Sequence, residues 1–292
     1  MEAPGAPGIP PTWTSSDKDM VGTSLGPARL WFTIGHGIIN EVYWPRVDIP
    51  QIRDLGFIVA DGRGFWSEVK RGADYMITTP GPGIPAVQAV HRHSRFELAL
   101  RIVPDPDRDV LLVELDLKGD PHLTPYALLA PHLGGSGTGN RAEVSTNRGR
   151  MALCAEQGPF GLALAASDPD QRDAWRRASA GCVGTSDGWQ DFARNGAMTW
   201  AYDHAGPGNV ALMGQLPRRS VLALGFGSGS EAAATLAISA LTLPFEAAWR
   251  KQTRAWEAWH ADKSHAKDLP GEFHDRVHLS AMVLKAHQDK TY

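Results

Sequence analysis

Phe96-Glu-Leu-Ala-Leu-Arg-Ile-Val-Pro-Asp-Pro-Asp-Arg-Asp-Val-Leu-Leu-Val-Glu-Leu-Asp-Leu117 decides the fold class. Apolar and polar side chains alternate from Phe96 to Arg101, as in a strand with one buried face. Pro104-Asp-Pro-Asp107 is turn chemistry, since proline fixes φ and Asp bonds the backbone beyond it. A second strand follows from Val110 to Leu117. Strand, tight turn and strand make an antiparallel hairpin. The same grammar repeats in both directions. Leu30–Ile34, Asp54–Ala60, Gly161–Ala166, Thr199–Tyr202, Val210–Met213 and Ser220–Phe226 all have strand length. Asp61-Gly62, Pro80-Gly-Pro-Gly83 and Gly119-Asp-Pro121 supply turns. Regular strands over some two hundred residues predict a large, all-β antiparallel sandwich rather than a βαβ sheet.

The text changes at Gly229. Glu231–Leu243 reads as a helix capped by Ser230 and ended by Pro244. Phe245–Asp262 reads as a second helix with a narrow face carrying Trp249 and Trp256. Lys263–Pro270 reads as a polar linker, and Glu272–Asp289 as a third helix with apolar points at Phe273, Val277, Met282 and Leu284. At the other end, residues 1–11 form a Pro/Gly leader, either docked or disordered.

Among 292 residues, Lys+Arg 29 against Asp+Glu 32 argues against a nucleic-acid partner, which needs a basic surface. No run of about 18 uncharged apolar residues offers a membrane span. The N-terminus lacks a charged region followed by an apolar one, so no signal peptide is expected. Two cysteines, Cys154 and Cys182, read as buried free thiols.

Several motifs point to chemistry and are outweighed. Gly225-Phe-Gly-Ser-Gly-Ser230 sits between a strand and a helix but lacks the third glycine and the βαβ unit of a dinucleotide site. Gly134–Gly139 lacks the Lys-Ser/Thr of a phosphate loop and reads as a loop. Asp105, Asp107 and Asp109 have alternate spacing, but Val110 and Asp116 stand where a calcium loop needs Gly and Glu. His91 and His93 share a strand face with no third ligand in view, and read as solvent-facing. No metal or cofactor is expected. The densest polar chemistry is at Asn40, Glu41, Tyr43, Trp44, Arg46 and Asp48. Aromatic faces beside carboxylates and a guanidinium suit a polyhydroxylated ligand. The same residues also suit a hairpin braced by Arg46 with Asp48 or Glu41.

Trp31-Phe-Thr-Ile-Gly-His-Gly-Ile-Ile-Asn-Glu-Val-Tyr-Trp-Pro-Arg-Val-Asp48, Arg53–Gly62 and Phe65-Trp-Ser-Glu68 resemble the N-terminal domain of bacterial glucoamylases and glucodextranases, glycoside hydrolase family 15. The resemblance runs on through Arg95–Leu98, Pro104–Asp109, Leu128–Leu133, Gly184–Asp191 and Leu222–Gly227. It implies a galactose-mutarotase-like β-supersandwich over residues 12–243 and a helical linker over 244–270. Residues 271–292 are then the first helix of an (α/α)6 catalytic barrel. The family's catalytic glutamates lie in that barrel, so no residue of this chain is matched to them. The implied role is a non-catalytic domain of an exo-acting α-glucoside hydrolase, with the barrel as partner and an α-glucan as ligand of the whole. An autonomous carbohydrate-binding module is the alternative. Asn40 to Asp48 are expected to face the barrel near its active site. Family members are often secreted.

Overall fold

The computed structural model describes residues 1–170, 172–262 and 269–290. Among the described residues seventeen strands form two antiparallel sheets. One contains β1 (Met20–Thr23), β2 (Trp31–Gly35), β3 (Ile38–Tyr43), β4 (Ile52–Ala60), β10 (Thr124–Pro131), β16 (Val210–Gln215) and β14 (Arg177–Cys182) in that spatial order, with β5 (Trp66–Glu68) paired to β4. The other runs β15 (His204–Gly208), β11 (Asn140–Asn147), β12 (Arg150–Gln157), β13 (Phe160–Ser167), β17 (Arg219–Gly227), β9 (Val110–Gly119), β8 (Phe96–Pro104), β7 (Val87–His93) and β6 (Asp74–Thr78). Alternate residues of both sheets, among them Phe32, Phe57, Leu100, Leu164 and Phe226, meet in one core between them. The fold is the β-sandwich expected.

The β8–β9 hairpin pairs Phe96 with Gly119 and Pro104 with Leu111. Its turn closes as the Asp107 amide donates to Asp105 Oδ1 at 2.9 Å and the Asp105 amide to Val110 O at 2.8 Å. Of the alternate aspartates, Asp105 forms the turn, while Asp107 pairs with Lys251 and Asp109 takes the Arg29 amide. Between β2 and β3 a two-residue turn places His36 and Gly37 at φ 56° and 69°, the geometry that primed hairpin turns require. A Cβ on Gly37 would lie 2.7 Å from His91.

Helices α1 (Val69–Gly72) and α2 (Gly188–Asn195) interrupt the strands, and α3 (Ser230–Ala240), α4 (Phe245–Asp262) and α5 (His274–Ala286) follow them. Helix α3 lies on β13 and β17. Gly225 and Gly227 are what let it approach, since added Cβ atoms would come within 2.7 and 2.8 Å of the Ala233 backbone. The glycines serve helix packing, not a nucleotide. Helix α4 begins right after Pro244 and buries Trp256 and Gln252, which donate to Thr23 O at 3.3 and 2.9 Å. Arg101 ties its first turn down. The guanidinium bonds Glu114 at 2.8 Å, pairs with Glu246 and lies 4.3 Å over the Trp249 ring. No single helix among the described residues is long and apolar enough to cross a membrane.

The leader is docked. Ala3 donates to His204 O at 2.8 Å beside β15, and Ile9 to Val183 O at 3.0 Å just past β14. Cys154 and Cys182 are buried free thiols.

Four expectations need correction. Thr199–Tyr202 is not a strand, because the buried Asp191 carboxylate takes the amides of Thr199 and Trp200 at 2.6 and 2.7 Å and holds them in a loop. His91 is buried rather than solvent-facing, with Nε2 3.0 Å from Gly37 O, while His93 stacks on Phe96. Ser230 does not cap α3: Gly229 holds that place at φ 116°, and the Ser230 hydroxyl bonds Glu156 at 3.2 Å. The third helix is shorter than read, with a 3₁₀ turn at Gly271–Phe273 before α5. Most of the Lys263–Pro270 linker lies outside the described residues.

Candidate functional site

The six polar and aromatic residues of β3 and the loop after it divide into two groups. Asn40, Glu41 and Trp44 are buried. The Glu41 carboxylate accepts from Thr14 Oγ1 at 2.8 Å and Thr33 Oγ1 at 2.9 Å, and pairs with Lys18 at 2.6 Å. The Asn40 amide lies between Gly35 O and Lys18 Nζ, 3.2 Å from each. Trp44 stacks on Phe226 at 6.3 Å, meets Phe160 edge-on and donates from Nε1 to Asp109 Oδ2 at 2.8 Å. Its faces are core surface and not available to a ligand. The β2–β3 register shifts here and brings Asn40 and Glu41 to the same Lys18, so the group divides by burial rather than by strand alternation. Tyr43 is half-buried, and burial, then the charge of Glu41, pushes its phenol above the usual range. Only Arg46 and Asp48 stand out from the surface. They form a two-point pair at 3.0 and 2.6 Å with side chains 43% and 59% exposed.

The same loop receives the chain beyond α5. The Val47 amide donates to Asp289 Oδ2 at 3.0 Å. Lys290 reaches Ala28 O at 2.6 Å and Ser24 Oγ at 3.3 Å, with Nζ 5.5 Å over the Trp31 ring. Burial pulls the Lys290 ammonium down to about 8, although Asp109 opposes the shift. Nothing in the sequence text marked Asp289 or Lys290. Their partners lie more than 240 residues away, and no local pattern encodes that distance. Helix α5 itself is held by Met282 and Ala286, which are buried with Trp256 and Phe245. Leu279, a turn nearer the start of the helix, is 51% exposed, and Leu284 is 77% exposed, with Phe273 and Val283 also open. A loop, a pinned tail and a bare apolar stripe thus occupy one end of the sandwich.

Residues 3–261 match the family described as glucodextranase, domain N. The chain belongs to that family. This domain N is 26% identical over 303 aligned residues to a glucoamylase of Clostridium sp. (strain G0005), a match that takes in the whole of this chain and 42% of that protein. It is similar in fold to a bacterial glucoamylase solved in complex with acarbose, with a TM-score of 0.91 and 24% identity over 99% of this chain and 43% of that one. Domain N therefore spans less than half the length of the relatives it matches.

Proposed function

We propose that the chain is the non-catalytic N-terminal domain of a glucoamylase-type, exo-acting hydrolase of starch, maltooligosaccharide or dextran. In this reading residues 12–243 are the sandwich unit and 244–270 the linker. Residues 271–292 lead into an (α/α)6 catalytic barrel. The observation that carries the proposal is the end of the molecule where Asp289 and Lys290 are clipped to the loops around Val47 and Ala28 while α5 shows Leu279 and Leu284 to solvent. An exposed apolar stripe of that kind marks an interaction surface. Arg46 and Asp48 flank Val47, whose amide bonds Asp289, and in this reading they face the second domain. The length of the relatives leaves room for that domain. The test is a chimera in which this chain replaces the matched part of the clostridial glucoamylase. The chimera is expected to release glucose from starch, and Leu279→Lys with Leu284→Lys to abolish its soluble expression. A clostridial catalytic portion equally stable and active with no domain N attached overturns the proposal.

A further inference from the structure

We infer that the outer face of the first sheet carries an α-glucan-binding cleft, separate from the end that receives α5. Two hollows of about 260 and 370 Å³ lie side by side over β4 and share Arg53, Asp54, Lys70 and Arg71. Trp189 stands in the wall of one and Trp13, 46% exposed, in the wall of the other. Each volume is near the lower end for small-molecule sites, and the shared floor makes an elongated trough that suits a chain of sugar rings.

Most charges in the trough are already paired with one another. The Lys70 ammonium bonds Asp54 Oδ2 at 2.8 Å and lies 3.2 Å from Glu68 Oε1. Glu68 Oε2 takes Arg71 Nε at 3.4 Å and the Trp189 indole N–H at 3.3 Å. Burial alone would raise the Asp54 pKa, but Arg53 and Lys70 outweigh it and hold the carboxyl below its usual range. Arg53, Lys70 and Arg71 face Asp54, Glu68 and Asp187 in the hollow beside Trp189, and there the formal charges cancel. What remains is a row of directional donors and acceptors, balanced in charge in that hollow and left cationic beside Trp13, which offers hydrogen bonds to hydroxyls.

Two donors stand open. Among the described residues the only side-chain hydrogen bond of Arg53 is a 3.4 Å contact from Nη2 to Asp54. The Gln190 side-chain amide, in the wall beside Trp189, has no hydrogen bond among the described residues. Indole faces pack on the apolar faces of sugar rings while amide and guanidinium groups bind their edges. The choice of an α-glucan over another neutral polyol rests on the function proposed above.

The cleft and the α5 end do not compete. Helix α5 touches β1, and β4 lies three strands across the same sheet, about 14 Å away.

Isothermal titration of the purified chain with maltoheptaose and, in a parallel arm, an isomaltooligosaccharide tests the site, with cellohexaose as the control. The expected result is binding of one α-glucan with a Kd of about 1 mM, and none of cellohexaose. Arg53→Gln and Trp13→Ala are each expected to weaken binding at least about tenfold, or 1.4 kcal/mol, with unchanged circular dichroism. Arg53→Gln also removes a partner of the buried Asp54, Trp13→Ala an edge contact to His132 and Trp189→Ala one to Trp66, so the test includes Gln190→Ala, whose side-chain amide bonds nothing among the described residues and which is expected to weaken binding with the melting temperature unchanged. No heat from either α-glucan, or equal binding by the wild type and the Arg53, Trp13 and Gln190 variants, overturns the cleft. Such a failure leaves the chimera result untouched, and a failed chimera beside a positive titration points instead to a free-standing binding module.

Discussion

Removing the Trp44 indole leaves a void bounded by Phe226 and Phe160 and strips Asp109 of a donor. Trp44→Ala is expected to cost about 3–5 kcal/mol. Arg46→Ala, two residues on, breaks an exposed pair and is expected to cost no more than about 1 kcal/mol. Urea midpoints of the two variants check the contrast. His132 sets a pH dependence. Burial, reinforced by Arg53 and opposed by Asp54, pushes its imidazole down to about 4, against about 6.5 when unfolded. Between those values the unfolded chain binds a proton that the native chain does not, so stability falls as pH falls, by up to about 3 kcal/mol. His132→Gln is expected to flatten denaturation midpoints across pH 6.5 to 4, and an unchanged slope contradicts the assignment. At this scale the sequence was legible for residue types and illegible for partners. Glu41 and Trp44 read as ligand-facing because their partners Lys18 and Asp109 are remote in the chain.

The helices that follow the strands differ in how firmly they are held. Helix α4 buries Trp256 and Gln252 and is tied by Arg101, whereas α5 buries only Met282 and Ala286. Few buried contacts mean cheap local opening. The amides of α5 are expected to exchange faster than those of β8 and β9, as followed by hydrogen exchange. Leu279→Gln with Leu284→Gln is expected to change stability by less than about 0.5 kcal/mol while reducing self-association in sedimentation velocity. Unaltered association counts against an adhesive α5. The start of α4 was readable because Pro244 is an unambiguous break before it. The start of α5 was not, because Glu272 and Phe273 suit a 3₁₀ turn as well as a helix.

Taken whole, the sandwich buries six carboxylates among the described residues, Glu41, Asp54, Asp105, Asp168, Asp187 and Asp191. Each already accepts hydrogen bonds from the chain. Inverting glycoside hydrolysis needs an acid and a base about 6.5–9.5 Å apart with a water between them. Under the function proposed above that pair belongs to a second domain, so the chain alone is expected to release no glucose from starch, maltose or dextran in a glucose-oxidase assay. Activity that survives repurification refutes this. The two-sheet class was legible from alternation and turns alone. The strand order was not, because β4 with β10 and β9 with β17 pair across long intervening stretches whose closure no local pattern specifies.

The docked leader has a consequence in time. Ala3 and Ile9 take their places only against His204 and Val183, and Asn209 donates to Pro7 O at 2.8 Å. At ribosomal rates of about 5–20 residues per second, these partners are made some 10–40 s after the leader. During synthesis residues 3–9 thus wait as an unpaired thread until Val183, His204 and Asn209 have been made.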